Sequence, residues 1–363
     1  MNRQKNIMQE TRDSKLAQRD YFKRVARLTP TKMWINNVTR EEAEWALMAG
    51  AKGCTQNPSY TWKMLTHERE GDYAKQLLRE TLTETDDDND VICRLQRKLI
   101  YGVSQKFMPL WEQTHGQHGY VSIQGDPIHE DDAQVIIQEA RNNRQLNPNM
   151  MIKIPATKAG LEAMRVLIAE DTPLNATEVM GVSQMVALCE MYREVVAETG
   201  KRPMMYVSLI TGIYDEWLQK DIQEKGIAIN PDVAKQAGMV IAKKVYQLMH
   251  DRGYQNGFIG GGVRGIHHFT EMVGGDVCIT MNWQGQVDGL LQLDLPVVAR
   301  LFNPVQPEVL ETLLDRLPQF RKAYFEHGLA VSEFAEYEPV EYFRHMFVTA
   351  WENCVSLAAS MRE

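Results

Sequence analysis

The chain lacks any run of about 18 apolar residues, so no part of it is expected to cross a bilayer as a helix. Its first residues, MNRQKNIMQETRDSKLAQRD, lack the apolar core of an export signal, and the cytoplasm is the expected compartment. Paired cysteines are missing as well. Cys54, Cys93, Cys189, Cys278 and Cys354 are odd in number and widely spaced, with no CxxC and no Cys/His cluster at zinc spacing, so buried reduced thiols are expected and a disulfide scaffold is excluded. An excess of positive charge is absent too: the formal charge is −8, which argues against a nucleic-acid partner. The basic residues among positions 1–28 are expected on one solvated face of an amphipathic helix. No internal repeat or low-complexity tract is present.

What the chain does have is apolar material for a full core, at 44% hydrophobic and 24% charged residues over 363 positions. Eight short strand-like runs recur along it: MWIN (33–36), GCTQN (53–57), YVSIQG (120–125), MMIKIP (150–155), PLNATEV (173–179), MMYVSLI (204–210), GFIGGG (257–262) and DVCITM (276–281). The segments between them, such as TREEAEWALMAG and KAGLEAMRVLIAE, carry apolar residues at helical spacing. Alternating β and α units imply parallel strands, and eight of them predict an α/β fold of the (β/α)₈ TIM-barrel type. The expected organisation is an N-terminal helical extension over 1–30, a barrel over 31–302 with a helical insertion at about 60–117, and a C-terminal helical extension over 303–363. TETDDDND (83–90) lacks the glycine and distal glutamate of a calcium loop and is expected to be a solvated loop and helix cap. The aromatic residues of the C-terminal extension are expected to pack rather than bind.

Lys153 is the anomaly, because it sits in a strand-like run with apolar neighbours on both sides. Desolvation there disfavours the ammonium and leaves an amine able to attack a carbonyl. The competing reading is a lysine that reaches solvent at the strand end or pairs with a buried acid. Small polar residues mark the C-terminal ends of other strands, where a barrel places its active site: Asn36, Thr55 and Asn57, Ser122 and Gln124, Asn175 and Thr177, and Ser208. Taken singly each is an ordinary turn or cap residue; together they suit a hydroxyl-binding site. Spacing of two lets Thr55 with Asn57, and Ser122 with Gln124, point together into the barrel mouth. GGGVRG (260–265) formally matches a dinucleotide loop, but its place near the seventh strand favours phosphate, another anion or a sugar hydroxyl, with Arg264 adding a cation. His267 and His268 follow on the next helix, where surface or supporting roles are expected rather than metal ligation, since no third ligand has suitable spacing.

Five of these segments, in order over 33–285, resemble motifs of the transaldolases. GCTQNPSY is similar to T-x-N-P-S, VSIQGDP to V-S-x-E-x-D, MMIKIPATKAGLEAM to the segment bearing a Schiff-base lysine, PLNATEVMGVSQ to the N-x-T segment and GGGVRG to the A-S-x-R loop. The stretch PEVLETLLDRLPQFRKAYFEHGL also resembles the tail of longer family members. The resemblance implies a (β/α)₈ barrel with no metal or cofactor, and covalent transfer of a dihydroxyacetone unit between sugar phosphates. It makes Lys153 the Schiff-base residue and sets Asn36, Gln124 and Thr177 at catalytic positions. It gives substrate binding to Thr55, Asn57, Ser122, Asn175, Ser208 and Arg264, the last two at the phosphate end. A small sugar or sugar phosphate is the implied partner, a homo-oligomer the implied assembly, with neither nucleic acid nor membrane.

Three departures bear on the reaction. The family's first-strand aspartate aligns with Asn36 and its third-strand glutamate with Gln124, and a neutral amide cannot accept a proton at neutral pH. The Gln124 pattern resembles the fructose 6-phosphate aldolases, which cleave rather than transfer; those keep the first-strand aspartate and carry a strand-six tyrosine where Ile210 stands. In VSLITGIY the family's second phosphate-binding arginine is missing near Ile213, which implies a sugar-like ketone with a modified or absent terminal phosphate. Asp126, two residues beyond Gln124, and Glu178, beside Thr177, are the alternative acid/base residues, with Tyr206 a further candidate. The expected function is Schiff-base aldol cleavage or transfer. The alternatives are another carbonyl reaction, dehydration or isomerisation, or a non-catalytic carbohydrate-binding barrel.

Overall fold

A computed structural model of the chain describes residues 2–362, with side chains over 9–362; Arg3 and Lys5 of the basic N-terminal stretch have side chains outside the described residues. Eight parallel strands close into a barrel in chain order: β1 (Lys32–Asn36), β2 (Cys54–Thr55), β3 (Val121–Gln124), β4 (Met150–Pro155), β5 (Leu174–Val179), β6 (Met205–Leu209), β7 (Gly257–Gly260) and β8 (Cys278–Met281). β8 pairs back onto β1 through Lys32 with Cys278 and Ile35 with Met281, which closes the ring. The expected (β/α)₈ barrel is thus the observed one.

The barrel interior changes character along its axis, because alternate residues of each strand face inward. At the strand starts, Trp34, Tyr120, Met151, Tyr206, Ile259 and Cys278 form an apolar plug, with the Trp34 and Tyr206 rings 5.2 Å apart edge to face. Gly53 is needed beside it, since a Cβ there would lie 2.4 Å from the Trp34 ring. Tyr206 is therefore buried at the opposite end from the polar mouth, which removes it as an acid/base candidate. At the strand ends the inward residues turn polar and include Asn36, Thr55 and Lys153.

The helix Ser59–Thr66 and the C-terminal helix Glu338–Arg362 supply residues to this mouth. Ser59–Thr66, Gly71–Leu82 and Asp88–Gln113 lie between β2 and β3, and the last begins at Asp87, whose carboxylate accepts from the amides of Asn89 and Asp90; the acidic run is the helix cap that was expected. The C-terminal helix Glu338–Arg362 packs on Ser59–Thr66, on Asp88–Gln113 and on the helix after β6, Thr211–Glu224. Trp351 anchors it, fully buried, with Nε1 donating to Asn89 Oδ1 at 2.7 Å. Arg362 donates to Asp88 at 2.6 Å, and Tyr342 Oη donates to Glu216 at 2.6 Å. No helix among the described residues is long and apolar enough to cross a membrane.

Candidate active site

A cavity of about 190 Å³ opens at the C-terminal ends of the strands. Asn36, Thr55, Asn57, Lys153, Thr177, Ser208 and Arg264 all line it, so the barrel gathers seven of the residues singled out in the sequence. Ser122 and Gln124 are not among the residues that line the cavity. Ser122 lies deeper and accepts from Asn175 Nδ2 at 3.4 Å, while Asn175 Oδ1 accepts from Ser208 at 2.6 Å. Gln124 turns instead to Glu178.

Lys153 stands on β4 in register with Gln124 of β3 and Asn175 of β5, and its side chain is 6% exposed. Burial pushes the amine from 10.5 down to about 8, against the pull of the Glu178 carboxylate. Phe347 of the C-terminal helix roofs it, the ring centroid 5.9 Å from Nζ.

Glu178 reaches this neighbourhood by a break in strand alternation. The β5/β6 register shifts between Ala176 and Val179, and Glu178 has φ of 59°, a left-handed conformation that a glutamate adopts only under constraint. The bulge brings its fully buried carboxylate to Gln124, whose Nε2 donates to Oε1 at 2.9 Å. Burial raises Glu178 from 4.5 to about 7, opposed by that hydrogen bond and by Lys153 and Arg344. Arg344 Nε, from the C-terminal helix, lies 2.8 Å from Glu130 Oε1 without hydrogen-bond alignment, and Glu130 is pushed well above the ordinary range by burial and by Glu178. No ion pair joins Glu178 to Lys153 among the described residues. Thr177 Oγ1, Gln124 Oε1 and Glu178 Oε2 are buried without a protein hydrogen-bond partner, an unusual concentration for a packed interior.

Asp126 does not line this cavity but a small neighbouring one, with Gln124, Glu130 and Lys153. Its carboxylate accepts from the Ile128 amide at 2.7 Å and from Asn89 Nδ2 at 2.6 Å, and pairs with His129 at 2.6 Å, so it ties loops together.

On the opposite wall, Thr55 Oγ1 donates to Asn36 Oδ1 at 2.8 Å, Asn36 Nδ2 donates to Asn282 Oδ1 at 2.9 Å, and Asn37 Nδ2 donates to Asn57 Oδ1 at 2.9 Å. These amides orient one another, and the described residues lining the cavity include no carboxylate. Thr280 and Asn282 had the same spacing-two signal at the end of β8 as Thr55 and Asn57, and could have been found from it. Asn37, Gln286, Met346, Glu130 and Arg344 carried no comparable signal. Phe343 and Phe347 of the C-terminal helix pack in the core and also line the cavity.

Arg264, after β7, forms an ion pair with Glu216 rather than standing alone at the far end. His268 is buried rather than at the surface, and a third potential ligand does exist: Asp215 comes together with His267 and His268. Hydrogen bonds already engage two members of this group. His268 Nε2 is 3.0 Å from Asp215 Oδ2, the Gly238 amide donates to Asp215 Oδ1 at 2.7 Å, and the Gly265 amide donates to His268 Nδ1 at 3.2 Å.

Residues 33–285 match the family model described as Transaldolase/Fructose-6-phosphate aldolase. A transaldolase of Mycobacterium leprae (strain Br4923) is 32% identical over 163 residues, 42% of this chain and 41% of the relative. That of Helicobacter pylori (strain Shi470) is 36% identical over 141 residues, 38% and 43% of the two chains. That of Mycobacterium ulcerans (strain Agy99) is 27% identical over 229 residues, 59% and 60%. The chain thus spans about two fifths to three fifths of the length of these curated relatives. With the match covering the whole barrel, the chain belongs to the transaldolase/fructose-6-phosphate aldolase family.

Proposed function

We propose that this protein is a Schiff-base-forming aldolase of the transaldolase type, in which Lys153 attacks the carbonyl of a sugar or sugar-like ketone and a dihydroxyacetone-type unit is cleaved or transferred. The observation that carries the proposal is Lys153 itself: a buried amine at the edge of a polar cavity, lowered to about 8 and therefore partly neutral at physiological pH. The amine nitrogen bonds to the carbonyl carbon, the oxygen takes up a proton, and loss of water gives an iminium. Cleavage of the next carbon–carbon bond out, between the carbon attached to the iminium carbon and the hydroxyl-bearing carbon beyond it, forms the enamine double bond and sends the iminium pair to nitrogen. The substrate hydroxyl on the departing carbon loses its proton, and an aldehyde leaves. The resulting enamine either adds to a second aldehyde or takes up a proton, and water then frees the lysine.

Glu178, raised to about 7, is assigned the proton traffic of the lysine and its carbinolamine, with Gln124 holding one carboxylate oxygen. Thr177, whose hydroxyl has no protein partner, is assigned the carbinolamine oxygen. Asn36, Thr55 and Asn57 are assigned the substrate hydroxyls. The five cysteines are buried and unpaired, which supports a reducing, cytoplasmic setting.

One observation favours a second reading. With no carboxylate in the cavity lining, a reaction that needs only the iminium, such as dehydration or isomerisation, asks less of the site than carbon–carbon cleavage. Both readings meet one experiment: incubation with a panel of ketoses, with and without phosphate, followed by borohydride and intact-mass measurement of wild type beside Lys153→Arg. An adduct of a three-carbon fragment on Lys153 supports aldol chemistry, and an adduct of the intact ketone alone supports the second reading. Well-folded protein that takes up no adduct refutes both.

A further inference from the structure

The cavity lining includes Ile210, Ile213 and Val263 with Phe343 and Met346, and Arg264 follows Val263 in the loop after β7. Its guanidinium is already engaged. Nε pairs with Glu216 Oε2, and Nη1 donates to the Val263 carbonyl at 3.3 Å. The other carboxylate oxygen of Glu216 accepts from Tyr342 Oη at 2.6 Å, and Tyr342 Oη accepts from Lys220 Nζ at 2.5 Å. Both oxygens of Glu216 are thus engaged, one by Arg264 of the loop after β7 and one by Tyr342 of the C-terminal helix.

The arrangement is held from behind. Asp215 precedes Glu216 on the helix Thr211–Glu224, and its buried contact with His268 fastens that helix to the loop carrying Arg264. At Gly212 a Cβ would lie 2.2 Å from the Gly262 carbonyl, so the helix start and the loop are in direct backbone contact. Glu216 and Arg264 therefore face each other across a fixed joint.

We propose that Glu216, which holds the Arg264 guanidinium from outside the cavity lining, competes as an internal anion with a substrate phosphate for Arg264, and that the site selects ketones whose far end is uncharged. This deepens the Schiff-base proposal and rests on it for the identity of the reacting carbonyl. A phosphate monoester brings nearly two negative charges and is held best by a guanidinium offering two parallel donors. To reach Arg264 it must displace Glu216, which would leave a half-buried carboxylate beside the incoming dianion, and like charges so placed repel strongly. Burial pushes Glu216 upward, but Tyr342, Arg264 and Lys220 outweigh it and hold the group below its ordinary 4.5, so it is ionised wherever a phosphate would be. A terminal hydroxyl or a short alkyl end instead meets the isoleucines, Val263, Phe343 and Met346 without disturbing the pair. Glu216 acts through Arg264 as a positioning residue.

The test compares wild type, Glu216→Gln and Glu216→Gln/Arg264→Met as full-length chains. Two probes of the same carbon skeleton, fructose and fructose 6-phosphate, are trapped on Lys153 with cyanoborohydride, and inorganic phosphate is titrated by calorimetry. Wild type is expected to favour the unphosphorylated ketose. Glu216→Gln is expected to shift the ratio about tenfold or more toward the ester and to gain phosphate binding. The double variant should lose that gain. A gain of anion affinity is not what a merely damaged structure produces. Wild-type preference for the ester, or a ratio unmoved by Glu216→Gln, overturns the proposal. If neither ketose reacts, the Schiff-base reading fails but calorimetry still decides here: phosphate binding gained by Glu216→Gln supports the internal anion, while equal binding to both chains, or none to either, overturns it.

Discussion

Replacing Lys153 with methionine should abolish adduct formation and at the same time stabilise the fold. The buried amine titrates at about 8 against 10.5 in an unfolded chain. Below about pH 8 both states hold the proton, and the folded state carries the full cost of a buried ammonium, about 3 kcal/mol at pH 7 from 1.36 kcal/mol per tenfold change in proton affinity. Between pH 8 and 10.5 the unfolded chain binds more proton than the folded one, so wild-type stability rises with pH. By pH 9.5 the remaining cost is about 1 kcal/mol by the same relation. Methionine matches the lysine stem in length and removes the charge, but it leaves Glu178 without its cation, and the carboxyl then answers by staying protonated. An advantage of about 1 to 3 kcal/mol for Lys153→Met at pH 7 is expected, shrinking by about 2 kcal/mol at pH 9.5. Urea unfolding followed by far-ultraviolet circular dichroism at both pH values measures it. A variant less stable than wild type at pH 7, or a difference that does not change with pH, refutes the reasoning, since either result means that Lys153 is not held in a desolvated site.

Two other substitutions should move the same titration in opposite directions. Glu178→Gln removes the charge that holds the Lys153 proton, so the midpoint for cyanoborohydride trapping of dihydroxyacetone should fall; a drop of about one pH unit makes trapping at about pH 7.5, where Glu178 is mostly ionised in wild type, about threefold faster. A midpoint that rises would exclude the assigned coupling. Phe347→Ala opens the roof above Nζ to water, which should raise the midpoint toward 10.5 while costing about 3 to 5 kcal/mol of stability from the buried ring. Chemical denaturation and the trapping profile together check both halves, and a large stability loss with an unmoved midpoint would show that the ring packs without drying the amine.

The strand and helix alternation was legible because it is local: each strand buries alternate residues, each helix buries one face, and both periods are written in consecutive residues. Lys153 was legible for the same reason, as a charge in an apolar run. So were Asn36, Thr55, Asn57, Thr177 and Ser208, whose polarity at strand ends belongs to the mouth of any barrel, closed or not yet recognised as closed. Asp126 lies past the end of β3, in a turn where its carboxylate is engaged by Asn89, Ile128 and His129, partners that strand alternation does not foretell.

What the sequence determined by itself is the repeating β/α plan and the set of polar side chains at the strand ends, both properties of neighbours along the chain. The tertiary structure decided which charges meet. A bulge one residue long turned Glu178 toward Gln124, barrel closure set Asn282 against Asn36, and the C-terminal helix carried Phe347 and Arg344 back across nearly two hundred positions to the lysine. The pairing of Glu216 with Arg264 is of the same kind. Electrostatic energy depends on distance and on exclusion of water, and neither exists for these residues until the ring of strands has closed.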